Sequence, residues 1–203
     1  MQTRLMGRTS LKSKRKLEIV EAFEQCVIDY GLEATTIEMV AEKAGVRRDA
    51  VYHNVGNREK LIQTSIDYLI EKCIGHLSQD FLEAAPKHDR IELFLSELFG
   101  GGFMQNHQND WTVIEELTHA AARNDATKIQ VRKMYEAYAE EISESIGKVL
   151  GIQLDDKVRE TAYVIMCLAE ENAAMQDLGL PKSRSETAKA VARNLINQLG
   201  HRS

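Results

Sequence analysis

Within the stretch Arg47–Asn54 the sequence "RRDAVYHN" gathers two guanidiniums, a carboxylate, a phenol, an imidazole and an amide. Arginine presents paired N–H donors that match the O6/N7 edge of guanine or the oxygens of a phosphate. Placing Arg47 and Arg48 where a helix begins opposes the helix dipole, at a cost of a few tenths to about 1 kcal/mol. A polyanion facing that end offsets the cost, so the group suits nucleic-acid contact. Catalysis has no carrier here: the chain shows neither a nucleophile–base arrangement nor a phosphate-binding glycine loop. A second constellation, Glu116-Leu-Thr-His119, has the Glu-x-x-His spacing of di-iron helical bundles, with Glu170 as a further carboxylate. That chemistry calls for two such motifs and two more glutamates, and no second Glu-x-x-His lies on the other long helical segments. Glu115, Glu116 and His119 therefore read as a solvated or pocket-rim face. A metal-sensing regulator and, more remotely, a metal-binding helical-bundle oxidase are the alternatives. No residue is assigned as a metal ligand and no cofactor is implied.

The elements that must position these side chains are all helical. Almost every segment repeats its apolar residues with the helical period, and no stretch alternates as a strand does. Ile19, Ala22, Phe23, Cys26, Val27 and Tyr30 form one stripe, closed by Gly31. Thr35-Thr36-Ile37-Glu38 fits a capping box with Thr35 at the cap, opening a short helix that runs to about Ala44. Gly45 suits a tight turn, and a third helix covers roughly Arg47 to His53. Asn57 caps a fourth, with Leu61, Ile62, Ile66 and Leu69 on one side. After Pro86 come five longer segments, the fourth of which, "AYVIMCLA" at its middle, is apolar all round and expected to be buried on every face. The expectation is an all-α fold of about nine helices.

Two short helices joined by a turn containing glycine are a helix-turn-helix signature. Ala41 and Ala44 are small enough for the helix crossing, Gly45 makes the turn, and Val46 can pin it to the core. The second helix then presents Arg47, Arg48 and Asp49 to a major groove. The charge distribution agrees. The net charge is -5, yet residues 1–64 carry eleven Lys/Arg against nine Asp/Glu, and residues 1–16 carry six basic residues and no acid. A basic end on an acidic body can orient the molecule on a polyanion. Three cysteines without CxxC spacing read as buried thiols of a reducing compartment. No apolar run approaches the ~20 residues of a membrane span and no signal segment opens the chain; a cytoplasmic protein is expected.

Residues 15–61 resemble the DNA-binding domain of the TetR (tetracycline-repressor-type) transcriptional regulators. "GLEATTIEMVAEKAGV" followed by "AVYHNVGNREKL" carries the likeness, through Gly31, Thr35, Thr36, Ile37, Val40, Ala41, Ala44, Gly45, Val46, Tyr52, His53, Val55, Arg58 and Leu61. The resemblance implies that the helix from about Arg47 enters the major groove and that Thr36 gives its hydroxyl and amide to a phosphate. It implies that Tyr52 and His53, with Asn54 beside them, contact backbone or base edges, and that Arg58 clamps a phosphate. The basic leader would reach an adjacent groove or backbone. Arg47 and Ala50 depart from the Ser or Thr and the Thr common at those places in the family.

The domain expectation is a helix-turn-helix domain over 1–60, with residues 1–14 a flexible basic leader, and a helical effector-binding and dimerisation domain over 61–203. The resemblance implies a homodimer, a double-stranded palindromic operator and a small effector that releases it. The last two helices, through 162–169 and the stripe from Ala188 to Leu199, have the composition to pair with their symmetry mates. Phe99, Phe103, Met104, Trp111, Met134, Tyr135, Tyr138, Tyr163 and Met166 are the candidates to line an apolar effector pocket.

Overall fold

Thr35 and Thr36 divide between them the work of starting the second helix. In the computed structural model Thr36, not Thr35, is the N-cap: its backbone is extended (φ -111°, ψ 160°) and its side chain accepts from the Met39 N–H at 3.3 Å. Thr35 is buried and donates its hydroxyl to the Gly31 carbonyl at 2.8 Å, closing the turn that leads in. The cap thus sits one residue later than the capping-box pattern predicts, because the first threonine's hydroxyl is spent on the preceding turn.

The structure describes residues 3–74, 85–86, 88–99 and 108–200, with side chains over 13–72, 85–86, 88–99 and 109–200. Among the described residues there are nine helices and no strand: α1 (Thr3–Tyr30), α2 (Ile37–Lys43), α3 (Arg48–Asn54), α4 (Arg58–Ile74), α5 (Arg90–Phe99), α6 (Gln108–Ala121), α7 (Asp125–Leu150), α8 (Asp156–Asp177) and α9 (Lys182–Gly200). The all-α expectation holds. The basic leader is not a separate coil, for α1 begins at Thr3 and runs through it. No proline interrupts that stretch, and Lys, Arg and Leu are good helix formers.

Packing groups the chain into two units, one of residues 1–69 with 108–134 and one of residues 70–107 with 135–203. In the first, α1 packs on α2, α3 and α6. Its core is Ile19, Phe23, Val40, Val51, Leu61, Ile66 and Leu117, with Glu24 buried among them and accepting from the Ser65 hydroxyl at 2.9 Å. Asn57 accepts from the Lys60 N–H at 2.9 Å and so caps α4, as read from the sequence. In the second unit, α8 packs on α9 and both pack on α5. Phe94, Leu95, Ile142, Ile146, Ile165, Ala192 and Ile196 form its core. Asp155 caps α8, accepting from the Val158 N–H at 2.8 Å.

Helix α8 is not buried on every face. Ala162, Ile165, Met166 and Ala169 are buried within the subunit, whereas Tyr163 (58% exposed), Val164 and Cys167 face outward. Of the stripe read on α9, Ala192, Ile196 and Leu199 are buried in the same core and Val191 is exposed. A helix lying on one layer has one covered face whatever its composition, and the outer side chains here remain apolar. Cys26 is buried as expected and Cys167 is exposed, which is not.

Candidate nucleic-acid interface

The turn between α2 and α3 is built from backbone. Gly45 takes φ 62°, a left-handed conformation that glycine adopts freely, and the Val46 N–H returns to the Ala41 carbonyl at 2.9 Å. Arg47 is the N-cap of α3 with an extended backbone and no side-chain capping bond. Its guanidinium stays free to project: Arg47 is 89% exposed, touching only Asp49, itself exposed, at 3.4 Å.

Arg48 is placed differently. Its Nε lies 3.0 Å from the Glu38 carboxylate of α2. Its guanidinium also donates to the Tyr52 hydroxyl at 3.3 Å and stands 5.4 Å from the centroid of that ring. The Tyr52 hydroxyl and then the Glu38 charge raise its pKa above the ordinary arginine value. Arg48 therefore ties α2 to α3 and shields the phenol, and Arg47 is the arginine with donors to spare. Glu38, three residues into the capping pattern, was legible as a helix-starting acid but not as a partner of Arg48.

Tyr52 and His53 are exposed on α3, in keeping with an outward role. Asn54 is half-buried and donates to the Ala50 carbonyl at 2.7 Å, a bond internal to the helix. Thr36 is exposed but its oxygen already serves the Met39 amide. Arg58 departs from the phosphate clamp that the resemblance implies: it is half-buried and donates inward, to the Leu32 carbonyl, at 2.6 Å.

That carbonyl belongs to a peptide segment held from both sides. The Leu32 N–H donates to Oε2 of Glu116 at 2.9 Å, so α4 and α6 grip the same residue of the α1–α2 turn. Arg123, just past α6, adds an ion pair to Glu33 at 3.0 Å. Gly31 makes the grip possible. Its φ is 80°, and a Cβ there would stand 3.3 Å from Glu116 Oε2. Glu116 is half-buried and lines the rim of a surface hollow, the pocket-rim placement read from the sequence, with one carboxylate oxygen given to the Leu32 amide. His119 is exposed and lines a surface hollow with Tyr30 and Arg123, and among the described residues no three His, Cys, Asp or Glu side chains stand together as a metal site would require.

The aromatic and methionine candidates for an effector pocket divide between the units. Phe99, Tyr135, Tyr138 and Met166 come together in the core of the second unit. Trp111 and Met134 belong to the first unit, where Trp111 donates to Glu115 at 3.2 Å. Tyr163 is exposed and bonds its own helix at Cys167, not a pocket. Phe103 and Met104 lie outside the described residues. Beside Tyr135 stands Glu170, which the sequence reading did not connect to it. It sits half-buried on α8 and accepts from the Tyr135 hydroxyl. Burial lifts its carboxyl to about 7, against the pull of that hydrogen bond.

A glycine-turned pair of short helices, with a free arginine opening the second, defines a helix-turn-helix DNA-binding protein. Residues 19–64 match the model of bacterial regulatory proteins, tetR family, and the chain is similar to transcriptional regulators of that family. It is 38% identical over 77 residues to the transcriptional regulator TtgR of Pseudomonas putida, a match covering 38% of this chain and 34% of that protein. It is 22% identical over 173 residues to the regulator BetI of Brucella canis, covering 85% of this chain and 81% of that one. A transcriptional regulator from Saccharomonospora viridis, solved in complex with choline, shares the fold: its TM-score is 0.66 at 13% identity, over 91% of this chain and 96% of that chain. Among the described residues no helix is long and apolar enough to cross a membrane.

Proposed function

We propose that the chain is a cytoplasmic repressor that binds a palindromic operator as a homodimer and leaves it when a small molecule binds. Residues 1–60 would carry DNA binding, and residues 61–203 effector binding and dimerisation. The observation that carries the reading is Arg47, exposed at the start of α3 beyond a turn built on Gly45. Tyr52 and His53 supply further contacts on the same helix, and Asp49, beside Arg47, limits which bases are accepted.

The outward residues Tyr163 and Val164 of α8 and Val191 of α9 support dimerisation through the last two helices. A two-fold pairing would space the two α3 helices by about one turn of DNA or somewhat more. Phe99, Tyr135, Tyr138 and Met166 favour an effector site in the second unit, and the choline complex of the Saccharomonospora relative fits a small-molecule ligand. The ligand need only prefer the conformer that does not bind DNA.

Selection of bound duplexes from a random pool at near-physiological salt tests the reading. A palindrome with guanine in each half-site is the expected result. Absence of enrichment by folded, dimeric protein, with and without prior removal of bound small molecules, would reject it.

A further inference from the structure

The two arginines at the head of α3 each face a carboxylate, and the two pairings differ in kind. Arg47 meets Asp49 across 3.4 Å, and both side chains are almost wholly exposed. Arg48 is held at three points. Its Nε stands 3.0 Å from Oε1 of Glu38, its Nη2 donates to the Tyr52 hydroxyl at 3.3 Å, and its guanidinium carbon lies 5.4 Å from the centroid of the Tyr52 ring. An exposed ion pair alone is weak, so the hold comes from the set. Glu38 belongs to the first turn of α2, the helix that packs on α3, and its side chain is more than half exposed. It therefore puts a negative charge beside the residues read as facing DNA. A carboxylate there is unfavourable against phosphates unless a cation covers it. If Arg48 swung onto DNA, Glu38 would be left bare before the polyanion. The contact that positions Arg48 thus also opposes its transfer. It sets the polarity of Tyr52 as well: the phenol oxygen accepts from Arg48, which leaves the phenol's own proton to donate to a phosphate oxygen or a base acceptor.

We propose that Glu38 is a positioning residue that determines DNA selectivity: it keeps Arg48 on the protein, leaves Arg47 as the arginine that reads bases, and fixes Tyr52 as a donor. This rests on the DNA-binding reading above and names the residue that governs its selectivity. Glu38 touches no base itself. It acts through Arg48, and its loss is a gain of binding with a loss of discrimination, the opposite of what a lost contact residue produces.

The test measures binding of full-length protein to the selected operator and to an unrelated duplex by fluorescence anisotropy, across about 50 to about 200 mM salt. Glu38→Ala should bind the unrelated duplex more tightly, and the ratio of operator to unrelated affinity should fall by at least about fivefold. Its salt dependence should steepen by about 0.9 in log–log slope for each half-site, the mark of one more phosphate contact. The same change made in an Arg48→Ala background should leave ratio and slope where Arg48→Ala put them, because no arginine remains to be released. Glu38 is exposed and Thr36 still caps α2, so the variant should fold, with its helical spectrum as the check. Glu38→Gln, which keeps the shape and removes the charge, should move ratio and slope in the same direction and serves if that spectrum changes. A selective parent whose Glu38 variants keep its ratio and slope overturns the proposal alone. So does an equal shift with and without Arg48, which would make Glu38 a bare repelling charge. A parent with no preference among duplexes sinks the DNA-binding reading and the proposal together.

Discussion

Arg47 and Arg48 are adjacent and chemically identical, yet their surroundings separate their roles. Arg47 has only the exposed Asp49 at 3.4 Å to leave before pairing two N–H groups with a guanine edge, whereas Arg48 must first leave Glu38 and Tyr52. Arg47→Ala should cost ~1–3 kcal/mol on the selected operator and flatten the preference at one base position. Arg48→Ala should weaken all sequences alike. Competition binding against single-base operator variants decides, and a base preference lost with Arg48 instead would reverse the assignment. Glu170 offers a second prediction at this scale. Its carboxyl titrates near 7 in the folded chain and near the ordinary glutamate value when unfolded, so the folded state holds the proton more tightly. Stability is then greatest below the unfolded pKa and declines as pH rises toward 7, by up to roughly 3 kcal/mol. E170Q should be more stable than the parent at pH 8 and indistinguishable at pH 4, measured by urea denaturation. Equal stability at both values would mean that the carboxyl is better solvated than its position indicates.

At the scale of elements, the α1–α2 turn is held by its neighbours more than by itself. Glu116→Ala removes the acceptor for the Leu32 N–H and leaves a part-buried donor unpaired, a loss of about 1–3 kcal/mol. The expected outcome is weaker operator binding with an unchanged base preference, together with faster hydrogen exchange at the Leu32 amide. Glu116→Gln, which keeps an acceptor oxygen, should recover most of both. A variant with normal exchange at Leu32 and weak DNA binding would point to some other role for Glu116. The helices themselves were legible in the sequence, since period, glycine stops and caps are local signals: Gly31, Gly45 and Asn57 all act where they were expected to. The grip on Leu32 was not, because Glu116 is 84 residues from its partner and a backbone amide leaves no mark on composition. The same limit applies to Arg58, whose place at the head of α4 shows in the pattern while the carbonyl it meets does not. Tyr163 misled for a different reason: an aromatic residue in an apolar helix looks the same whether its face is covered by the same subunit or left for another.

At the scale of the whole molecule, the outward apolar side chains of α8 and α9 are the expected seam between two copies. Val164→Glu places a charge on that seam while adding none to the core. It should convert the dimer to monomer in sedimentation at micromolar concentration, with helix content unchanged. Because each operator half-site would then be bound singly, affinity should fall far more than for any single contact residue. A Val164→Glu protein that remains dimeric would place the interface elsewhere. A change in helix content instead would show that α8 is covered within the subunit.

The hold on the α1–α2 turn has an evolutionary side. Glu116 and Arg58 grasp the peptide of Leu32, its N–H and its carbonyl, and every residue except proline offers that same pair of atoms. The joint is therefore indifferent to the side chains it carries. Leu32 itself stays tied to the core by its buried side chain, but α3 can be rewritten for a new operator without renegotiating the hold on the DNA-binding head. What cannot drift is Gly31, whose missing Cβ leaves room for the glutamate. A lineage of such regulators could change the sequences it reads while keeping this joint intact.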